Sequence, residues 1–193
     1  TRTVLIRPAP PGDLFPFTGP HGAGKTPPRR AVAGIHDFEG GDIFIDGVSI
    51  KQDPLSCKKV MRYIPDNPDL YGYLTGIQYL NFLADIYGLD SAAREQRIGK
   101  YGDAFGITHR LNDMVGSFSH GMKQKLALIG ALMDEPRLLL LDEPFVGLDP
   151  KAAFTLKQYM HEMTQNGAAI FFSTHVLEVA EKLCNKVAII SHG

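Results

Sequence analysis

The chain has 193 residues, 44% of them hydrophobic, which is enough to bury a substantial core in one domain. Its 20 basic and 21 acidic residues nearly cancel, and no run of basic residues indicates a nucleic-acid groove or an anionic membrane surface. No apolar run has the length of a membrane span, and no signal peptide is evident.

The two cysteines, Cys57 and Cys184, are far apart and lack the spacing of a metal site, which indicates a reducing, cytosolic setting. The chain begins and ends close to predicted strands, and we expect it to be part of a longer protein. Because no span is evident, a role at a membrane would depend on a partner.

Residues 1–18 predict β structure interrupted by turns. Val4–Ile6 has the composition of a short strand, and a proline-dense turn follows it. A second strand should lead into the glycine-rich stretch that comes next. Pro16 falls in this strand and removes one donor from the ladder, so we expect a poor central strand there.

The glycine-rich stretch matches the phosphate-binding pattern G-x-x-x-x-G-K-[ST], and its residues are Gly19, Pro20, His21, Gly22, Ala23, Gly24, Lys25 and Thr26. Such a loop directs backbone N–H groups at a phosphate, and its glycines allow the close approach. Lys25 would bridge the β- and γ-phosphates of a nucleotide, and the Thr26 hydroxyl would ligate Mg²⁺. The stretch taken alone leaves open a glycine-rich turn beside an unrelated Lys-Thr pair.

The middle of the chain changes from strands to helices. Alternating apolar residues around an Asp-Gly pair predict a β hairpin over Gly40–Ile50, and Val60–Ile64 predicts a buried strand. From Thr75 to about Met133 the apolar residues recur at helical spacing, with glycines as stop signals. Ser119 has the position of an N-cap for the last of these helices.

In the last third of the chain, strands and helices alternate, which predicts a parallel α/β sheet. Predicted strands are Leu138–Leu141, Ala168–Phe172 and Val187–Ile190, and predicted helices begin at Pro150 and Val176. We therefore expect an α/β core formed by residues 1–69 and 136–193, with a helical subdomain inserted at residues 70–135.

Two carboxylates, Asp142 and Glu143, end the aliphatic strand Leu138–Leu141. Parallel sheets bind their ligands at the carboxyl ends of the strands. Asp142 can hold Mg²⁺ through water, and Glu143 can act as the general base that polarises an attacking water molecule. The alternative is a strand that ends in two solvated acids.

Together with the phosphate loop, three further motifs resemble those of ABC (ATP-binding cassette) ATPases. Phe118–Gln124 resembles the family's signature motif, Gly147-Leu148-Asp149 its D-loop, and Ser173-Thr174-His175 the segment that carries its switch histidine. The order of the motifs is that of the family, and the resemblance covers nearly the whole chain. The wording of the signature further resembles ATPase subunits of bacterial export-type, ABC-2-like transporters.

The resemblance implies a RecA-like P-loop NTPase fold, with a small antiparallel β element and an inserted helical subdomain. It implies that two chains enclose ATP, so that the signature residues Ser119, His120, Gly121 and Met122 contact the nucleotide of the opposite subunit. Glu143 would activate water, Lys25 would bind the phosphates, and His175 would sense the γ-phosphate. Thr26 and Asp142 would hold Mg²⁺, and Asp149 belongs to the D-loop.

The chain departs from the family pattern at several positions. Asp66 stands where the family usually has the glutamine of the Q-loop, His120 replaces a signature glycine, and His21 replaces a common asparagine. Pro27 follows the Lys-Thr pair, where related loops donate a backbone N–H to the α-phosphate, and proline has none. Losing that hydrogen bond would cost about 1.5–3 kcal/mol.

We therefore expect an ATPase subunit that uses ATP and Mg²⁺, pairs with a second ABC ATPase subunit and drives a membrane-spanning permease. The helical subdomain and the Asp66 loop would contact that permease, and the chain would be cytoplasmic and peripheral on the inner face of the membrane. We expect no nucleic-acid partner. Two alternatives remain: a non-transport ABC ATPase, and a nucleotide-binding module with weak hydrolysis, which Pro27 and Asp66 suggest.

Overall fold

The structure, a computed structural model, describes residues 14–18, 42–174 and 188–189. Several predictions lie outside these described residues: the strand at Val4–Ile6, the phosphate loop at residues 19–26, Pro27, His175, the helix beginning at Val176, and Cys184.

The strands are β1 (Leu14–Thr18), β2 (Phe44–Ile45), β3 (Val48–Ser49), β4 (Met61–Ile64), β5 (Leu138–Asp142), β6 (Ala169–Ser173) and β7 (Ala188–Ile189). The α-helices are α1 (Pro54–Val60), α2 (Gly76–Tyr87), α3 (Ser91–Phe105), α4 (His120–Leu132) and α5 (Pro150–Gln165). Short 3₁₀ turns lie at Thr108–Arg110 and Val115–Ser117. Apart from α1, the strands and helices follow the predicted order along the described chain.

The chain divides into two compact units. The first unit holds the sheet, the β2–β3 hairpin and α1, and the second holds α2, α3, α4 and residues 144–159. The subdomain boundaries at residues 70 and 135 remain a prediction.

The five-stranded sheet of the first unit has the order β4-β5-β6-β1-β7. Strand β1 pairs in parallel with β6 and β7, and β5 pairs in parallel with β6. The expectation of a poor central strand at Pro16 is wrong, because β1 lies between two paired neighbours and Pro16 stands opposite Phe172. A missing N–H removes one ladder hydrogen bond, and the remaining pairs on both sides of β1 hold the strand in place.

The β2–β3 hairpin is present where the Asp-Gly pair predicts it. Asp46 and Gly47 both have positive φ, 51° and 79°, which is the requirement of a type I′ turn. Helix α1 is a short element that the sequence analysis missed, because seven residues are too few to show helical periodicity. Its signal was nevertheless present: the Asp53 carboxylate accepts a hydrogen bond from the Ser56 N–H at 3.0 Å, and Pro54 occupies the first turn.

One face of the sheet carries the core of the first unit. Apolar side chains from the hairpin and α1 pack there against alternate residues of β5 and against β6; they are Ile43, Ile45, Ile50, Cys57, Met61, Leu138, Leu140 and Phe171. The other leucines of β5, Leu139 and Leu141, are also fully buried. Strand β5 is therefore covered on both faces, as its continuous aliphatic sequence predicts.

Two helices of the second unit end at the predicted glycines, and α2 begins where the helical pattern was predicted to start. Thr75 and Gln78 form a reciprocal capping box at the start of α2, and Gly88 and Gly106 end α2 and α3 in the left-handed conformation. Helix α4 approaches α2 closely at Gly130, where an added Cβ would lie 2.5 Å from the Leu83 side chain. These contacts hold α4 in place, and α4 carries the signature residues.

Candidate functional site

The carboxyl ends of three neighbouring strands meet at one edge of the sheet in the first unit. Phe17 of β1 stands opposite Ser173 of β6, and Ser173 stands opposite Asp142 of β5. Strand β1 ends at Thr18, and the predicted phosphate loop begins at the next residue in the sequence. Strand β1 therefore leads into that loop at the same edge of the sheet as Asp142. This is the edge at which parallel α/β sheets bind their ligands.

The Ser173 hydroxyl connects Asp142, the predicted magnesium ligand, with Glu143, the predicted general base. It donates a hydrogen bond to Asp142 Oδ1 at 2.5 Å and accepts one from the Glu143 N–H at 3.0 Å. Ser173 is fully buried, whereas Asp142 and Glu143 are half-buried. The buried Ser173 hydroxyl therefore orients the Asp142 carboxylate and fixes the backbone of Glu143.

Glu143 adopts an unusual backbone conformation. Its φ of 45° is in the left-handed region, which costs a residue with a side chain about 1 kcal/mol or more. Such a conformation persists where surrounding contacts fix it, and here the Ser173 hydroxyl holds the Glu143 N–H. The chain thereby turns sharply after β5, and the Glu143 side chain leaves from this turn, not from the strand.

The role of Ser173 is not predicted from the sequence. The Ser173-Thr174-His175 motif predicts a function only for His175. A hydroxyl at the end of the apolar strand Ala169–Ser173 was the available signal, because a buried hydroxyl requires hydrogen-bond partners.

The described part of this edge fits a magnesium ion held together with a phosphate ligand. Mg²⁺ takes hard oxygen ligands, usually one or two carboxylates, with water and substrate phosphates completing an octahedron. Asp142 supplies an oriented carboxylate of this kind. Among the described residues, no three His, Cys, Asp or Glu side chains gather into a metal site.

In the second unit, α4 begins at the predicted N-cap. The Ser119 hydroxyl accepts a hydrogen bond from the Met122 N–H at 3.3 Å, and His120 and Gly121 occupy the first two helical positions. Ser119 and His120 are exposed. The unpaired N–H groups and positive dipole of a helix N-terminus favour an anion, which is the chemistry expected of the signature residues.

The D-loop packs tightly against the first turn of α4. A Cβ added at Gly121 would overlap the carbonyl oxygen of Gly147. A Cβ added at Gly147, whose φ is 79°, would lie 2.6 Å from the His120 ring. Both positions therefore require glycine, and the signature residues and the D-loop are in direct contact.

An ion pair strengthens the same contact. Lys125 of α4 donates a hydrogen bond to Asp149 Oδ2 at 2.5 Å, and Asp149 Oδ1 caps α5 by accepting one from the Ala152 N–H at 2.9 Å. The Lys125 hydrogen bond, and next the Ala152 N–H, lower the pKa of Asp149 below its usual range, against a smaller opposing effect of burial. Asp149 therefore stays ionised and links the two helices.

Gln124, the last residue of the signature motif, is buried although the sequence does not predict it. Its side chain is completely buried in the second unit, and neither amide atom has a hydrogen-bond partner among the described residues. In the sequence it stands between Lys123 and Lys125, so no local pattern indicates burial. No function is predicted for it from the sequence.

The structure thus places the predicted site residues in separate groups. Asp142 and Glu143 lie together in the first unit, and Ser119, His120, Gly121, Met122 and Asp149 lie together in the second. Asp66 is exposed, and its carboxylate accepts a hydrogen bond from the Asn67 N–H at 2.9 Å. The phosphate loop, including Lys25 and Thr26, and His175 lie outside the described residues.

Comparison with known proteins gives consistent matches. A family model described as "ABC transporter" matches residues 8–146. The ABC-type transporter ATP-binding protein EcsA of Bacillus subtilis is 36% identical over 95% of this chain and 74% of its own length. The linearmycin resistance ATP-binding protein LnrL of the same species is 31% identical over 94% of this chain, but the match spans only 58% of LnrL.

Solved structures agree with these matches. The ATP-binding subunit of an ABC transporter superposes with a TM-score of 0.91 at 36% identity, over 95% of this chain and 77% of that subunit. CbiO1 from Clostridium perfringens, part of the ABC transporter complex cbiONQ, gives a TM-score of 0.77 at 25% identity, over 94% of this chain and 74% of CbiO1. The predicted α/β fold class, with a parallel sheet and an antiparallel pair, is confirmed. Among the described helices, none is long and apolar enough to cross a membrane.

Proposed function

The chain belongs to the ABC transporter family of ATP-binding proteins, and on this basis we propose that it binds and hydrolyses ATP to drive transport through a membrane-spanning permease. The observation that carries the proposal is the hydrogen-bonded group of Asp142, Ser173 and Glu143 at the ligand-binding edge of the sheet. This edge adjoins the strand that leads into the phosphate loop.

In the proposed reaction, the residues of this chain hold the triphosphate and activate water. The amides of the phosphate loop and Lys25 bind the β- and γ-phosphates. Glu143 accepts a proton from a water molecule whose oxygen attacks the γ-phosphorus, while the bond to the β–γ bridging oxygen breaks and ADP leaves. Thr26 and Asp142 would hold Mg²⁺, which neutralises charge on the phosphates when bound. His175 would contact the γ-phosphate.

We further propose that two subunits enclose the nucleotides. The exposed N-terminus of α4, with Ser119, His120, Gly121 and Met122, would contact the γ-phosphate bound to the opposite subunit. The D-loop packs directly on this turn. A phosphate bound to the opposite chain would therefore contact the signature residues directly and affect the position of Asp149 through them. Whether this transporter is of the export type remains a prediction.

Replacement of Glu143 by glutamine tests the proposal. Glu143→Gln keeps the size of the side chain but removes the base, so we expect ATP to bind, turnover to fall by about a hundredfold or more, and an ATP-bound dimer to accumulate. Steady-state hydrolysis and size-exclusion chromatography with Mg-ATP measure both effects. The control is Glu95→Gln, at an exposed position of α3. Hydrolysis by Glu143→Gln at the rate of the parent chain would show that another group is the base.

A second candidate function is a nucleotide-binding module with weak hydrolysis. Pro27 favours it, because proline cannot donate the backbone hydrogen bond that related loops give to the α-phosphate. Mg-ATP titration followed by a turnover assay separates the candidates: a working ATPase releases phosphate at the concentration at which ATP saturates the chain, and a binding module does not. The names of the relatives favour a transporter subunit over a non-transport ABC ATPase.

A further inference from the structure

Gln124 of α4 is a buried polar side chain that the proposed reaction does not use. Its exposed fraction is 0%, and neither Oε1 nor Nε2 has a hydrogen-bond partner among the residues that the structure describes. Burial of an amide without partners is unfavourable, because the hydrogen bonds to water are lost and the protein does not replace them. Most buried polar side chains are hydrogen-bonded, so the amide of Gln124 requires an explanation.

The position of Gln124 in α4 puts it on the side of the helix that touches the D-loop. It follows His120 by four residues and Gly121 by three, and residues at these spacings share one face of a helix. His120 and Gly121 both lie against Gly147, and the next residue in the helix, Lys125, forms the ion pair with the D-loop. Because helical side chains lean toward the N-terminus, we expect the Gln124 side chain to extend toward this contact.

The Gly147 carbonyl oxygen is the acceptor that this contact offers. It is directed at α4, since a Cβ added at Gly121 would overlap it. No other residue in the described ranges donates a hydrogen bond to it. An amide donor and a carbonyl acceptor therefore lie on the same side of α4 without being bonded to each other. A shift of the D-loop along α4 would bring them together.

We propose that Gln124 is a positioning residue, and that its Nε2 donates a hydrogen bond to the Gly147 carbonyl when the N-terminus of α4 contacts the nucleotide of the opposite subunit. The inference rests on the proposed enclosure of ATP by two subunits. The unpartnered amide makes the present arrangement of α4 and the D-loop less favourable, and the new hydrogen bond makes the enclosing arrangement more favourable. Gln124 thereby shifts the equilibrium toward enclosure without touching the nucleotide.

Gln124→Met tests the proposal, because methionine has a similar volume and helix propensity but no amide. Without nucleotide, the urea midpoint of Gln124→Met should be higher than that of the parent chain, since the unpartnered amide is gone. In the Glu143→Gln chain, the same change should raise the Mg-ATP concentration that gives half of the dimer by about tenfold or more. Size-exclusion chromatography over a series of Mg-ATP concentrations measures this shift. The matched control is Gln158→Met, at an exposed position of α5, which should change neither quantity.

These measurements distinguish a positioning role from a purely structural one. If the amide of Gln124 only stabilised the fold, Gln124→Met would lower the urea midpoint, and that result would overturn the proposal. A higher midpoint with an unchanged dimer titration would overturn it as well. The affinity for ADP should equal that of the parent chain, because Gln124 has no proposed contact with the chain's own nucleotide. A loss of ADP affinity that matches the loss of dimer would mean that the variant disturbs the whole site.

Nuclear magnetic resonance observes the amide directly in a chain that keeps Gln124. In ¹⁵N-labelled Glu143→Gln, the side-chain N–H signals of Gln124 are assigned through their bonds to the side-chain carbons. We expect these signals to move downfield when Mg-ATP is added, as an amide does when it donates a hydrogen bond, and to stay in place with ADP. Signals that do not respond to Mg-ATP would refute the proposed hydrogen bond, even if Gln124→Met failed to fold.

Failure of the inference can be told apart from failure of the proposed function. A Glu143→Gln chain that forms a dimer with Mg-ATP, but whose dimer is indifferent to Gln124→Met, would contradict the inference alone. A Glu143→Gln chain that forms no dimer at any Mg-ATP concentration would contradict the proposed enclosure, and the inference with it.

Discussion

At the scale of single residues, the site of the first unit depends on one buried hydroxyl. The Ser173 hydroxyl donates a hydrogen bond to the Asp142 carboxylate and accepts one from the Glu143 N–H, so it couples the proposed metal ligand to the proposed base. Glu143 needs this support because its left-handed backbone is unfavourable by itself. A change at Ser173 should therefore affect both stability and catalysis.

We expect Ser173→Ala to lower the free energy of unfolding by about 1–3 kcal/mol, because it leaves the Glu143 N–H and the Asp142 carboxylate without this partner. ATP turnover should fall by about tenfold or more as Glu143 loses its fixed position. Urea unfolding and a phosphate-release assay measure the two effects. The control is Ser117→Ala, since Ser117 is exposed and, among the described residues, its hydroxyl donates to the Met114 carbonyl alone. Similar results for the two variants would exclude a special role for Ser173.

At the scale of elements, the contact between α4 and the D-loop joins two motifs that are distant in the sequence. Gly121 and Gly147 allow the two backbones to touch, and Lys125 and Asp149 hold them together with an ion pair. Two independent features, backbone shape and charge, therefore support the same arrangement. Each can be tested separately.

Backbone shape is tested by adding one methyl group. Gly121→Ala should destabilise the chain by about 1–3 kcal/mol, because its Cβ would overlap the Gly147 carbonyl oxygen. The control is Gly99→Ala in α3, where nothing lies within 4 Å of the added Cβ, so the higher helix propensity of alanine should stabilise the chain by about 0.5–1 kcal/mol. Denaturant midpoints of the two variants should move in opposite directions. A shift of the Gly121→Ala midpoint in the same direction as the control would refute the close contact.

The ion pair between Lys125 and Asp149 is tested by Lys125→Met, with the stability of variant and parent measured as a function of pH. The folded-state pKa of Asp149 is lowered, so its pair with Lys125 stabilises the folded chain above the ordinary aspartate pKa of 3.8 and is lost as pH falls below that value. Because the Asp149 side chain is half exposed, the loss in Lys125→Met should be under about 1 kcal/mol at neutral pH. Urea midpoints of variant and parent should converge as the pH falls further below 3.8. A difference that stays constant with pH would mean that the ion pair is not its cause.

At the scale of the whole molecule, the two compact units carry different parts of the proposed function. The first unit holds the carboxylates that would act on the chain's own nucleotide, and the second holds the signature residues and the D-loop. The chain spans 74% of EcsA and 58% of LnrL, so those relatives are longer than the matched region. Transport itself is therefore proposed for the assembly with the permease, and the part assigned to this chain is nucleotide binding and hydrolysis.

Ligand binding can be measured on the whole molecule. Mg-ATP at about a hundred times its dissociation constant should stabilise the folded chain by about 2.7 kcal/mol. For a chain of 193 residues, this corresponds to a rise of roughly 5–10 °C in the melting temperature. Thermal unfolding followed by circular dichroism measures it, and Lys25→Ala should abolish most of the rise. An equal rise in Lys25→Ala would show that the phosphate loop is not the binding site.

Sequence signals that act over a few residues predicted the elements well. The cap at Ser119, the glycines that end α2 and α3, and the Asp46-Gly47 turn were all predicted correctly, because backbone hydrogen bonding and φ preference depend on neighbours in the chain. The prediction of a poor central strand at Pro16 was wrong, because the pairing of β1 with β6 and β7 outweighed the local effect of proline. The phosphate loop and His175 remain predictions from their motifs.

The amino-acid sequence by itself determined the fold class, the order of the motifs and the family, since these follow from local patterns and from the similarity of the whole chain. Only the tertiary structure decided that Ser173 joins Asp142 to Glu143 and that Gly121 touches Gly147. The physical reason is distance along the chain. Ser173 meets Asp142 through the register of two parallel strands, and no local propensity specifies which residue will stand opposite another.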